Sequence, residues 1–218
     1  MLIIDNVSKS YRHHHVLSHI SFAVQQGEII GLVGRNGAGK TTLLHIIATL
    51  LPQDEGTITL YDETERKKLR QHIGFVPQEL AIFEDMTVKE NMLFFANLSP
   101  VKKTQTQLRA LCEKVSLHVW DEPVRKLSGG MKRKLNLALS LIHDPTLLLL
   151  DEPTVGIDLK SKLEIAKTLQ HLAEENVMII YISHDMDEIK NMCHRILSIG
   201  DDDFYYDLLQ ETTHIEKI

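Results

Sequence analysis

The sequence predicts an α/β fold built on a mainly parallel sheet, and three observations carry that expectation. Residues 28–33 form a short apolar run that enters a glycine-rich loop, and residues 42–48 leave the loop with helical character. Leu147, Leu148, Leu149 and Leu150 are consecutive, the pattern of a strand buried on both faces of a parallel sheet. Another apolar run, residues 177–182, ends at Ser183 and His184, so strand-like and helix-like segments alternate along the chain.

The loop is the most specific of these features. Gly34, Arg35, Asn36, Gly37, Ala38, Gly39, Lys40, Thr41 and Thr42 match the phosphate-binding pattern G-x-x-x-x-G-K-[ST], set between a strand and a helix as that pattern requires. Glycines let backbone N–H groups curl around a polyphosphate with no Cβ in the way. The helix N-terminus adds unpaired donors and a favourable dipole. Lys40 supplies a point charge for the terminal phosphates, and the Thr41 hydroxyl is placed to ligate Mg²⁺. A plain glycine turn is the competing reading, and the complete pattern with its flanks argues against it. Gly37-Ala38-Gly39 lacks the third glycine of a dinucleotide fingerprint.

Asp151 follows the leucine strand at its C-terminal end, where open α/β sheets place their ligands. Its expected role is to hold Mg²⁺ through the ion's water shell. Glu152, one residue on, is placed to orient or deprotonate an attacking water. Ser128, Gly129 and Gly130 open a helical segment and so form a second anion-binding N-terminus, although Ser-Gly-Gly is also a common flexible turn. A single histidine such as His184 at a strand end is by itself more often structural than catalytic.

Together these residues resemble the nucleotide-binding subunit of an ATP-binding-cassette (ABC) transporter, in that family's order, from Ile3 to about Ile199. Gly34 to Thr41 resemble its Walker A loop, and Phe75-Val76-Pro77-Gln78 its glutamine loop. Leu127 to Gly130 resemble its signature, Leu147 to Glu152 Walker B with the catalytic glutamate, Val155-Gly156-Ile157-Asp158 the D-loop, and His184 the switch histidine. The resemblance implies a P-loop NTPase (RecA-like) core at about residues 1–78 and 128–218, with an N-terminal antiparallel β layer and a small α-helical subdomain at about 79–127. It implies ATP with Mg²⁺ as ligands: Thr41 and Gln78 on the metal, Glu152 activating water, and His184 on the γ-phosphate. Ser128, Gly129 and Gly130 would serve the ATP of a partner subunit, so that a homodimer or heterodimer closes on ATP and reopens on hydrolysis. A separate transmembrane permease subunit would do the transporting, with this chain on the cytoplasmic face of the membrane.

Position 131 departs from the commonest signature, which has glutamine there; this chain has methionine. The run Gly-Gly-Met-Lys-Arg-Lys resembles the subfamily that exports drugs, antibiotics, lipids or polysaccharides. An import subunit shares every catalytic residue and stays as the alternative. A soluble cassette protein of ribosome or DNA would carry two cassettes or a long coiled-coil insertion, and this sequence has neither.

Composition agrees. At 218 residues and 43% hydrophobic, the chain can bury one substantial core. Its apolar runs fall well short of the ~20 residues of a membrane span, and Asp5, Asn6 and Lys9 interrupt any N-terminal signal segment. Cys112 and Cys193 are too few for a disulfide framework and lack zinc spacing, which points to a reducing compartment. The net charge of -6 gives no support to broad nucleic-acid binding.

The remaining elements follow in order. Residues 2–7 and 21–24 are expected as strands of the N-terminal layer. Tyr11 is expected on a turn between them, where the family stacks an aromatic ring on adenine; packing beside a strand is the competing reading. His13, His14 and His15 are expected in an exposed loop without a metal site, because neighbouring side chains diverge. Thr87 and Glu90 have capping-box spacing ahead of a helix that ends before Pro100, and a second helix is expected over 104–115. In the family a groove beside the glutamine loop receives a helix of the membrane subunit. Phe83, Met86, Phe94 and Phe95 are candidates to line it, or core residues. Asp201, Asp202 and Asp203 read as a polar turn, and 204–218 as a short final strand and helix.

Overall fold

The computed structural model describes residues 1–12, 14–200, 204–209 and 215–218. In chain order, strands β1 (Leu2–Tyr11), β2 (His14–Val24) and β3 (Ile29–Val33) precede helix α1 (Lys40–Ile47). Strand β4 (Glu55–Leu60), the single-turn α2 (Arg66–Leu69) and β5 (Ile73–Val76) lead into α3 (Val88–Leu98) and α4 (Gln105–Lys114). Then come α5 (Gly129–Ser140), β6 (Leu147–Asp151), α6 (Leu159–Glu174), β7 (Met178–Ile182), α7 (Met186–Met192), β8 (Arg195–Ser198), α8 (Phe204–Leu209) and β9 (Ile215–Lys217).

Two sheets result, an antiparallel one ordered β2-β1-β4 and a parallel one ordered β5-β6-β7-β3-β8-β9. The parallel sheet is buried on both faces. Leu148 and Leu150 join one hydrophobic cluster, with α5, α6 and the helices α3 and α4. Leu147 and Leu149 join another, with α1 and the antiparallel sheet. All four are fully buried, the burial expected of a leucine run in a central parallel strand. Ile29, Val33, Ile179 and Tyr181 face the first cluster, while Ile30, Leu32, Ile180 and Ile182 face the second. This period-2 division fixes register, since a one-residue slip would exchange the two faces.

The N-terminal strands run further than 2–7 and 21–24. β1 continues to Tyr11 and β2 begins at His14, with register shifts after Ile4, Val7 and Lys9. Those irregularities break the alternation that marks a strand in sequence. Tyr11 pairs with His14 across this hairpin, so His14 and His15 lie in a strand instead of a loop. His13 falls outside the described residues, as do Asp201 to Asp203. Strand β4 gives no early apolar signal, because Glu55, Gly56 and Thr57 are exposed and burial starts at Ile58. At the C-terminus the helix precedes the strand, and β9 pairs in parallel with β8.

Both helices of the 79–127 stretch start on capping boxes. Thr87 accepts from the Glu90 N–H while Glu90 returns to Thr87, as its spacing predicts, and Thr104 and Gln107 do the same. Each such cap contributes about 1 kcal/mol. Met92, Leu108, Cys112 and Val124 bury into the cluster under the parallel sheet, so these helices share the main core. Polar ties hold α4 in place: Lys114 pairs with Glu175, Thr168 Oγ1 donates to the Lys114 carbonyl, and buried Lys134 joins Glu164 to the Ser116 carbonyl.

Candidate active site

The phosphate-loop pattern folds as its sequence requires. β3 delivers Gly34, α1 begins at Lys40, and Gly39 caps the helix at φ 99°. That angle suits glycine alone, and a Cβ there would lie 2.7 Å from Leu17 Cδ2 and 2.9 Å from the Val16 carbonyl. β2 therefore packs directly on the loop. Lys40 is 7% exposed. Its ammonium donates to the Gly34 carbonyl at 2.7 Å and the Arg35 carbonyl at 3.0 Å, curling the loop around its own cation. Burial lowers the Lys40 pKa, against the opposing fields of Glu152 and Asp151.

Asp151 closes β6 and is 3% exposed. Burial raises its pKa, countered by a hydrogen bond with the Thr41 side chain. Glu152 then leaves the sheet at φ 49°, a left-handed conformation that is uncommon for a residue with a side chain. Its N–H donates to the Ile182 carbonyl at 3.0 Å, tying it to the end of β7. The side chain is thereby aimed at two residues from other elements. Oε1 lies 2.8 Å from Nε2 of His184, and Oε2 accepts from Nε2 of Gln78 at 3.2 Å.

Gln78 is held in turn. Arg133, on α5, donates through Nη1 to the Gln78 carbonyl at 2.5 Å. Arg133 is not among the site residues expected from sequence, where it enters only through the Gly-Gly-Met-Lys-Arg-Lys run, and the fold turns it toward Gln78. Burial lowers its pKa while the charge of Glu152 opposes the shift.

A cleft of about 760 Å³ unites these groups. Asn36, Gly37, Gly39, Lys40, Thr41 and Thr42 line one side, and Gln78, Glu152 and His184 another. His14 and Val16 of β2 complete it. Tyr11 is not among the lining residues. It is 46% exposed at the end of β1, with the Lys9 ammonium 5.7 Å from its ring centroid. His14 carries no sequence signal for this position, because a hairpin register places it there.

Ser128, Gly129 and Gly130 do not line the cleft. Ser128 caps α5 by accepting from the Met131 N–H at 3.3 Å. A Cβ on Gly129 would approach Ile157 and Gly156, and one on Gly130 would lie 2.1 Å from Ser161 Oγ. Gly130 therefore has a packing reason to be glycine as well, the close approach of α5 to the start of α6. Met131 packs against the main core. Phe83, Phe94 and Phe95 stack edge to face or tilted, with Phe83 and Phe94 exposed and Phe95 half-buried. Buried Asn91 fixes Phe83 by bonding both its N–H and its carbonyl. Met86 is half-buried beside α3.

Residues 17–155 match the family described as ABC transporter. This chain belongs to that family. It carries the ABC ATPase domain, with the P-loop NTPase fold. It is 39% identical over 202 residues to the linearmycin resistance ATP-binding protein LnrL of Bacillus subtilis, covering 90% of this chain and 65% of that protein. It is 38% identical to the Nod factor export ATP-binding protein I of Sinorhizobium fredii, covering 90% of this chain and 59% of that protein. The cassette thus spans about three fifths of the length of these relatives. Among solved structures, a dimeric post-hydrolysis ATP-binding cassette bound to ADP and Pi superposes with TM-score 0.81 at 23% identity, over 92% of this chain and 94% of that one. A nucleotide-free cassette from an ABC transporter superposes with TM-score 0.84 at 20% identity, over 95% and 94% of the two chains. Among the described residues of this ABC cassette, no helix is long and apolar enough to cross a membrane.

Proposed function

We propose that this chain binds and hydrolyses ATP to power export through a separate membrane subunit. The observation that carries the hydrolytic part is the Glu152 carboxylate, held between Gln78 and His184 at the edge of the Lys40 loop. Lys40 and the loop amides take the phosphates, exchanging the Gly34 and Arg35 carbonyls for phosphate oxygens. Glu152 accepts a proton from the attacking water, and His184 orients it and contacts the γ-phosphate. Tyr11 stands at the hairpin end for the adenine, beside His14.

The hydroxyl of Thr41, the amide of Gln78 and the carboxylate of Asp151 are hard oxygen donors, a set that fits Mg²⁺. Thr41 and Gln78 would hold the ion directly and Asp151 through its water shell. Buried Asp151, whose ionisation burial opposes, gains a compensating charge there. Bound Mg²⁺ would supply positive charge to neutralise the phosphates.

Ser128, Gly129 and Gly130 serve the ATP of a second cassette. The Ser128 cap uses an oxygen lone pair and leaves its O–H to donate. ATP then closes a dimer and hydrolysis reopens it, because the nucleotide contacts both subunits only in the closed state. The printed names of the relatives, linearmycin resistance and Nod factor export, support export as the direction. The exposed Phe83 and Phe94 offer an apolar face for the membrane subunit, which would hold this chain at the cytoplasmic side of the membrane.

The test is reconstitution in vesicles with a multi-span membrane protein encoded in a neighbouring reading frame. Added ATP should drive solute out of the compartment that holds this subunit, and Glu152→Gln should stop it. Full ATP turnover by the purified chain with no response to any such membrane protein would contradict the transport reading.

A further inference from the structure

Glu152 and His184 stand beyond the ends of β6 and β7, and hydrogen bonds from a residue outside the cleft join the segments that carry them. That residue is Glu188, in the first turn of α7. Its Oε2 accepts from the Tyr181 hydroxyl at 2.6 Å, the Thr154 hydroxyl at 2.7 Å and the Ser183 hydroxyl at 3.0 Å. Thr154 lies just past Glu152 and Pro153, Ser183 immediately precedes His184, and Tyr181 sits on β7 itself. One oxygen atom therefore ties both loops to one point.

The rest of the arrangement holds that point still. Lys162, on α6, lies 3.0 Å from Glu188 Oε1 and 2.9 Å from Asp185 Oδ2. Ser183 Oγ also accepts from the Asp185 N–H at 3.0 Å. Tyr181, Ser183 and Thr154 are all buried, at 1%, 3% and 4% exposure, and the Glu188 side chain is at 14%. Burial, followed by the Glu188 charge, pushes the Tyr181 phenol well above its usual pKa, so it stays a donor. A carboxylate this enclosed is tolerated only when its charge is compensated: Oε2 takes the three hydroxyls, while buried Oε1 has no hydrogen bond and faces the Lys162 ammonium as an ion pair. Fully buried Ile189 anchors α7 beneath the sheet. The site contacts described above use none of these groups.

The geometry points to Glu188 as a positioning residue that sets the spacing between the Glu152 and His184 loops without touching the reacting atoms. It rests on the reading that Glu152 and His184 form the reacting pair. An amide keeps one acceptor oxygen, so with Glu188→Gln either the three hydroxyls or the Lys162 ammonium must face an N–H₂ group, and the negative charge that holds both sides is gone. The common tie is weakened while the volume stays the same.

The test is steady-state ATP turnover by the purified chain, with nucleotide titration and thermal unfolding on the same samples. Glu188→Gln should lower kcat about ten- to a hundredfold, the scale for misplacing catalytic groups by a fraction of an ångström. KM for ATP should stay within about twofold, because the Lys40 loop is untouched. In a His184→Ala background, Glu188→Gln should cost less than about a further twofold, since a residue acting through His184 has nothing left to position. Ser183→Ala, which removes one tie and keeps the carboxylate, should show the same coupling in a smaller version and serves if Glu188→Gln does not fold. Unchanged kcat in Glu188→Gln, or an equal loss with and without His184, would overturn the proposal. Glu152→Gln and His184→Ala measured alone separate the two readings. If neither slows turnover, the assignment of the reacting pair fails and this inference falls with it. If both do and the Glu188 effect is uncoupled, only the inference fails.

Discussion

Glu152 Oε1 and His184 Nε2 lie 2.8 Å apart, although the two residues leave different strands of the parallel sheet. The pairing follows from adjacency of β6 and β7, with Asp151 opposite Ile182 in the register. The left-handed turn at Glu152 then brings its carboxylate back across the strand ends.

That contact makes Glu152 the expected general base. Glu152→Gln should retain ATP binding and slow turnover by about 10²–10⁴-fold, the range for losing such a group. Single-turnover hydrolysis with Mg²⁺ reads the chemical step apart from product release. A near-silent Glu152→Gln would move the role to Asp151.

Lys40→Ala should weaken ATP binding about ten- to a hundredfold, the equivalent of about 1.5–3 kcal/mol for a charge-assisted contact. The loop also loses the cation that gathers the Gly34 and Arg35 carbonyls, while the surrounding core is unchanged. Nucleotide titration of folded mutant protein checks this, and wild-type affinity would contradict the assignment.

Arg133→Ala should lower kcat about tenfold by releasing the Gln78 carbonyl, a loss on the scale of one hydrogen bond to a charged group. Arg133→Lys should recover only part of it, since an ammonium lacks the planar fork. A kinetic comparison of the two variants with Gln78→Ala checks whether all three act at one place: Arg133→Ala should add little once Gln78 is gone.

The fold was legible where burial is two-sided or a motif demands a context. Four leucines gave β6, and the glycine pattern gave the β3–α1 turn. Thr87 and Glu90 gave the start of α3. Legibility failed where the signal is shared between distant segments. The bulged register of β1 hides its second half, and β4 begins with exposed residues. At the site, the motif residues could be named from sequence, but His14 and Arg133 reach it through strand register and helix facing, which no local pattern encodes. From sequence, Gly130 fits phosphate approach or a flexible turn, and the close approach of Ser161 to it is a matter of tertiary packing.

The Lys134–Glu164 pair should give stability a pH dependence. Lys134 holds the Glu164 carboxyl below its usual range, chiefly through their hydrogen bond. A folded-state value below the unfolded one means that the contribution is complete above the ordinary carboxylate range. It is lost as pH falls through that range to the depressed value. Glu164→Gln should destabilise the fold by about 1–3 kcal/mol near neutral pH by leaving a buried ammonium poorly paired. Urea unfolding should show the gap from wild type closing on acidification; a gap that widens would contradict the sign.

The central claim is that ATP is shared between two cassettes, and light scattering of the Glu152→Gln chain tests it most directly. Without nucleotide the chain should be monomeric, and ATP with Mg²⁺ should shift it to a dimer whose γ-phosphates remain intact. Adding Ser128→Arg sets bulk and positive charge against closure at the α5 N-terminus, and should abolish the shift while leaving nucleotide titration at Lys40 nearly unchanged. A dimer that forms equally well without ATP, or one that still closes on ATP with Ser128→Arg in place, would contradict the composite site.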